Sequence, residues 1–156
     1  MTWVTPTCAN SDHSSCYSTT GPDWVAAVVN AIGESPFWTN TVIFVMWDEW
    51  GGWYDHVKPP YVDYDGLGFR VPLLVISPYA KRGYVSHVQY EHGSLLKFVE
   101  DRFGLARLAA TDARANSLEK DCFDFSQPPR LFQPIPTNMR PADFEREPNQ
   151  RPPDTQ

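Results

Sequence analysis

The chain has 156 residues, 42% of them hydrophobic and 21% charged, which gives enough length and apolar content for a core and rules out a disordered polyelectrolyte. Thirteen basic residues against 19 acidic ones give a net charge of −6 with no basic block, which excludes an electrostatic nucleic-acid binder. No apolar run approaches the roughly 20 residues of a spanning helix, so no transmembrane segment is expected.

The opening Met1-Thr-Trp3 brings neither a basic segment nor a long apolar run, and no signal peptide is read there. Residues 5–21, rich in Ser, Thr, Asn, Cys and Gly, read as a loop. Cys8 and Cys16 bracket part of it and could pair if the protein is exported. Together with Cys122 they do not make a zinc-ribbon pattern. Trp24, Val25, Val28, Val29 and Ile32 then recur at helical spacing. With Pro22 at one end and Gly33 at the other, they predict a helix over 22–33.

Thr41-Val-Ile-Phe-Val-Met-Trp47 is an unbroken apolar, largely β-branched run, the pattern of a strand buried on both faces. A glycine-containing, aromatic loop follows from Asp48 to about Phe69. Val71-Pro-Leu-Leu-Val-Ile-Ser77 repeats the buried-strand pattern, with Pro72 near its start, where a missing N–H does least harm. Leu95, Leu96, Phe98, Val99 and Phe103 predict an amphipathic helix over 91–103, closed by Gly104. Beyond Gln127, eight of the last 29 residues are Pro, and 128–156 reads as an extended tail or linker after a domain of 1–127. Helix, strand, long loop, strand and helix in succession give an α/β class, with two parallel strands expected at the centre.

Ligands in open α/β sheets bind beyond the carboxyl ends of strands. The first strand ends directly in Asp48-Glu49. Two adjacent carboxylates leaving a buried strand repel each other and resist desolvation unless a divalent cation neutralises them. The alternative is that the chain has surfaced and both are solvated. Gly51-Gly52 permits a sharp turn and a close backbone approach. Asp55-His56 and, near the N-terminus, Asp12-His13 add two acid–imidazole pairs. Histidine can ligate a metal, contact a phosphoryl oxygen or donate a proton; each also has an ordinary structural reading.

The stretch Trp47-Asp-Glu-Trp-Gly-Gly-Trp-Tyr-Asp-His-Val57 resembles the Asp-Glu-x-Gly-Gly-Phe-Tyr-Asp-His-Val signature of the phosphoesterase family, which includes bacterial non-haemolytic phospholipases C and acid phosphatase A-type enzymes. Ser11-Asp-His13 is similar to that family's Ser-Asp-His-Pro loop, with Ser14 where Pro is usual. Ser35-Pro-Phe-Trp38 with Thr41, Gly68-Phe-Arg-Val-Pro72, Ile76-Ser-Pro78 and Glu91-His-Gly-Ser94 follow in the family's order. The resemblance covers about residues 3–108.

It implies a partial alkaline phosphatase-like sandwich, a mostly parallel sheet flanked by helices, and metal-dependent hydrolysis of phosphoesters through a metal-activated hydroxyl. By resemblance, Asp48 and Glu49 bind a divalent metal ion of unknown identity, and His13 faces the phosphoryl group with Asp12 beside it. His56 either orients metal ligands or meets substrate, with Asp55 next to it. Arg70 is a phosphate clamp or a structural ion-pair partner. Ser77 reads as turn chemistry, and His87 and His92 are weaker candidates. The implied substrate is a phosphoester, with phospholipid among the options, and the implied location is secreted or periplasmic.

The family's Glu-Asn metal motif and its Ser or Thr nucleophile have no counterpart here. The chain is therefore expected to be the C-terminal part of a catalytic domain, lacking the N-terminal half and nearly inactive alone. The non-enzymatic alternative is a truncated module with residual metal or phosphate binding. A sulfatase or phosphomutase of the same superfamily is disfavoured by the Gly-Gly-x-Tyr-Asp-His pattern.

Overall fold

The computed structural model describes residues 1–17, 19–144 and 146. Helix α1 spans Gly21–Gly33, close to the range its periodicity predicts. Pro22 lies in its first turn, where the missing N–H costs nothing. Strands β1 (Ile43–Met46) and β2 (Leu73–Ile76) fall inside the two apolar runs. Helix α2 (His92–Phe103) stops at Gly104. Three short helices follow: α3 (Ala110–Arg114), α4 (Leu118–Cys122) and α5 (Pro141–Phe144). The class is α/β. No described helix is long and apolar enough to cross a membrane.

The direction of the sheet differs from expectation. β1 and β2 pair antiparallel, with Phe44 opposite Val75 and Met46 opposite Leu73. A parallel pair needs a crossover that carries the chain back to its starting end. Residues 47–72 contain no helix to do so and return as an irregular loop. An apolar run reports burial, and it is silent on strand direction. A mostly parallel sheet is thus not what the described residues form.

One core lies on a single face of this sheet. Ala80, Leu95, Phe98, Leu118, Cys122 and Phe123 form its buried cluster, and Phe44, Met46, Leu73 and Val75 pack against it. Alternate strand residues share a face, so the opposed pairs point the same way. Phe98 of α2 joins the layers, edge-on to Phe44 at 5.1 Å and stacked on Phe123 at 5.4 Å.

Within the proline-rich segment, residues 128–140 form no helix or strand and dock on α1. The Asn30 amide makes two 2.8 Å bonds with the Ile135 backbone, donating to the carbonyl and accepting from the N–H. Trp38 Nε1 donates to the Arg130 carbonyl at 2.7 Å. Thr137 and Asn138 cap the Asp23 side. Phe132 covers Gly33 so closely that a Cβ there would lie 2.4 Å from its ring. Proline-limited backbone cannot build a ladder, so side chains from α1 and Trp38 satisfy it instead.

Candidate active site

The site is assembled from two loops. The first runs through Ser11-Asp-His13 into a 3₁₀ turn over Ser14–Cys16, and a Cys8–Cys16 disulfide closes it from behind. The second leaves β1 at Trp47 and turns at Gly51 and Gly52, whose φ angles are +58° and +80°. Only glycine adopts this left-handed pair without strain. Space demands it too, because a Cβ on Gly52 would lie 2.2 Å from Ser14 Oγ.

Two contacts knit the loops together, and a third shapes the second loop from within. Ser14 N–H donates to the Gly51 carbonyl at 2.8 Å. The Trp53 indole N–H donates to the Asp12 carbonyl at 2.9 Å. Gly51 N–H donates to Glu49 Oε1 at 2.7 Å, which folds that carboxylate back over the turn. The first contact depends on Ser14 standing where the family motif has proline, since proline has no N–H to give.

The result brings His13 Nε2 to 3.6 Å from Glu49 Oε1. That is longer than a hydrogen bond and close enough for electrostatic interaction. Asp48 lies next to Glu49 and is exposed. Among the described residues, no three His, Cys, Asp or Glu side chains converge as a metal cage. The carboxylate pair has the oxygen chemistry a hard divalent ion prefers, but among the described residues it is an incomplete ligand set.

The other candidates separate from this pair. The Asp12 side chain turns toward α1, where a Cβ on Gly21 would meet its Oδ1 at 2.3 Å. There it complements the positive end of the helix dipole. Arg70 is forked onto Asp55, donating from Nε to Oδ2 at 2.7 Å and from an Nη to Oδ1 at 2.9 Å. That pairing is the main reason the Asp55 carboxyl is held well below the usual range. Here the guanidinium is matched to a carboxylate in the bidentate geometry of an ion pair. His56 is exposed and meets Tyr54 edge-on at 5.1 Å. A cleft of about 580 Å³ beside Glu49 is lined by Trp50, Trp53, Tyr54, Asp55 and Arg70.

Further out, Arg114 pairs with both Glu91 and Asp63, tying the aromatic loop to the start of α2. Ser77 is buried, and its hydroxyl accepts from Tyr79 N–H at 3.3 Å, as turn chemistry predicts.

Three residues matter more than their sequence signal suggests. Trp53 reads as one aromatic among many, yet its indole is a tie between loops. Ser15 carries no motif signal at all, yet it contacts the His13 ring. His92 opens α2, and its Nε2 donates to the Trp47 carbonyl at 3.0 Å, pinning the end of β1 just before the acidic pair. Its place in Glu91-His-Gly-Ser94 was the available clue.

An acid–imidazole face built on a Gly-Gly turn thus stands beyond the end of β1 in an α/β fold. The phosphoesterase family model matches residues 1–106. The chain belongs to the phosphoesterase family. It is 32% identical over 130 residues to a non-hemolytic phospholipase C of Burkholderia pseudomallei, covering 66% of this chain and 19% of the relative. It is 34% identical over 137 residues to the non-specific phospholipase C6 of Arabidopsis thaliana, covering 71% and 26%. With phospholipase C B of Mycobacterium tuberculosis (strain H37Rv) it shares 31% identity over 162 residues, covering 86% and 31%. The matched region thus spans about a fifth to a third of these relatives' length.

Proposed function

We propose that this chain supplies one face of the catalytic centre of a phosphoester hydrolase of the phospholipase C type, the rest coming from sequence beyond it. The observation that carries the reading is the docking of the Asp12-His13 loop onto the Asp48–Gly52 loop, which sets an imidazole beside Glu49 at a strand end. In this reading His13 donates a hydrogen bond from Nε2 to a phosphoryl oxygen, stabilising charge that grows in the transition state. Asp48 and Glu49 are two ligands of a divalent ion whose remaining ligands lie outside the chain. When bound, such an ion would supply counter-charge and lower the pKa of a hydroxyl nucleophile. His56, exposed at the edge of the aromatic loop, is placed to meet the leaving group or headgroup. The relatives' phospholipase C names favour a phospholipid substrate, and Trp50, Trp53 and Tyr54 offer faces on which a cationic headgroup could rest.

The second reading is a non-enzymatic module with residual cation or phosphate binding. It draws on the incomplete ligand set among the described residues.

A chromogenic phosphocholine diester, with and without added divalent cations, tests both. The 156-residue chain alone is expected to give little or no turnover. A longer chain that adds the upstream part of the catalytic domain is expected to turn over, and to lose at least about 100-fold in kcat on His13→Ala. An inactive longer chain that still binds cations would favour the binding module. Robust metal-dependent turnover by the short chain would overturn the expected division of the site.

A further inference from the structure

We infer that Ser15 is a positioning residue that sets the tautomer of His13, holding its proton on Nε2 so that the ring presents a donor toward Glu49. The inference deepens the hydrolase reading and rests on it for its functional meaning, though not for its chemistry.

His13 occupies the N-cap position of the 3₁₀ turn Ser14–Cys16, and its ring does the capping. A cap must accept, because the first N–H groups of a turn have no partner within it. Nδ1 accepts from Ser15 N–H at 3.2 Å and lies 2.7 Å from Ser15 Oγ. A backbone N–H can only donate, so Nδ1 must offer its lone pair. The hydroxyl, which can rotate, then donates as well. A neutral ring whose Nδ1 bears the lone pair carries its hydrogen on Nε2.

The scaffold does not let this slip. Cys16 of the same turn is tied to Cys8, His13 N–H donates to Ser11 Oγ at 3.1 Å, and Ser14 N–H is held by Gly51. Nε2 faces the Glu49 carboxylate, whose charge favours a hydrogen on that nitrogen. With its hydrogen fixed there, neutral Nε2 has no lone pair for a metal. His13 is therefore a hydrogen-bond donor to substrate oxygen and not a metal ligand. Ser15 confers that role through the nitrogen on the far side of the ring.

Nitrogen-15 NMR of the histidine rings in the 156-residue chain at alkaline pH reads this directly, whether or not the chain hydrolyses anything. Exposed His87 serves as the reference for an unconstrained ring. Wild-type His13 is expected to show less Nδ1–H form than His87. Ser15→Ala, which removes only the hydroxyl, should raise that fraction part of the way, and Ser15→Pro, which removes the backbone donor as well, should bring it to the His87 value. The Trp53 indole resonance reports whether the loops stay docked in each variant. A wild-type His13 with Nδ1–H equal to or above His87 overturns the inference without any variant. So does a docked Ser15→Pro variant whose tautomer does not move. If the tautomer is as expected while the longer chain proves inactive, the hydrolase reading falls and this one stands.

Discussion

The two sides of this molecule are held by different forces. Around α2 and α4, stability comes from buried apolar contact, with Leu118, Phe98 and Phe123 closing one face of the sheet. Around the candidate site almost nothing apolar is buried, and the loops are held by backbone hydrogen bonds, a glycine pair, a disulfide and forked ion pairs. A core distributes its energy over many non-directional contacts. A site needs directional ones, because its groups must stand at particular distances. The core side should therefore fail globally when broken, and the site side locally.

The largest effect is expected from Leu118→Ala, which removes a side chain with no exposed surface. A loss of about 2–5 kcal/mol in denaturant unfolding is expected from the cavity it leaves. A loss under about 1 kcal/mol would show that the core tolerates collapse there. Next comes removal of the disulfide by Cys8→Ser with Cys16→Ser, whose short loop sets the contribution at about 2–3 kcal/mol. Hydrogen exchange should show the loss concentrated in residues 8–17, with the α2 amides protected as before.

Gly52→Ala should cost about 1–3 kcal/mol of local strain, from its positive φ and the clash with Ser14 Oγ. Adding Ser14→Gly should recover only the clash. Full recovery would show that φ is not limiting, and the Trp53 indole resonance follows the loop in each case.

Acid separates the two sides more gently. Hydrogen bonds from Ser86, Tyr84 and Tyr90 lower the Asp121 carboxyl from 3.8 to about 2. A carboxyl with a depressed folded pKa stabilises fully above its unfolded value, so this contribution should fade as pH falls from 3.8 toward about 2. Asp121→Asn should flatten that part of the stability curve. Smallest of all, Arg70→Gln should leave the melting midpoint unmoved, since the guanidinium is largely exposed. It should still loosen the aromatic loop, seen as faster exchange of the Val57 amide that Asp55 holds. A clear drop in midpoint would place this pair in the structural frame.

Several of these elements are legible in the amino-acid sequence itself. Pro22 and Gly33 bound α1, the runs at 41–47 and 71–77 contain the strands, and Gly104 closes α2. The acidic pair, the Gly-Gly turn and the Asp-His loop stood out because their residue types are costly or permissive in ways the sequence displays. Strand direction was not legible, because apolar content records burial whichever way a strand runs. Nor was the docking of the proline-rich segment, which depends on Asn30, Asp23 and Trp38 meeting backbone a hundred residues away.

What the sequence determined by itself is the list of parts and their local geometry: periodicity sets helices, glycine sets turns, and motif order sets family. What only the tertiary structure decided is partnership. Arg70 belongs to Asp55, Asp12 faces a helix end, and His13 meets Glu49 on one side while Ser15 holds the other. Such pairings depend on distances between segments far apart in the chain, and local residue chemistry does not contain them.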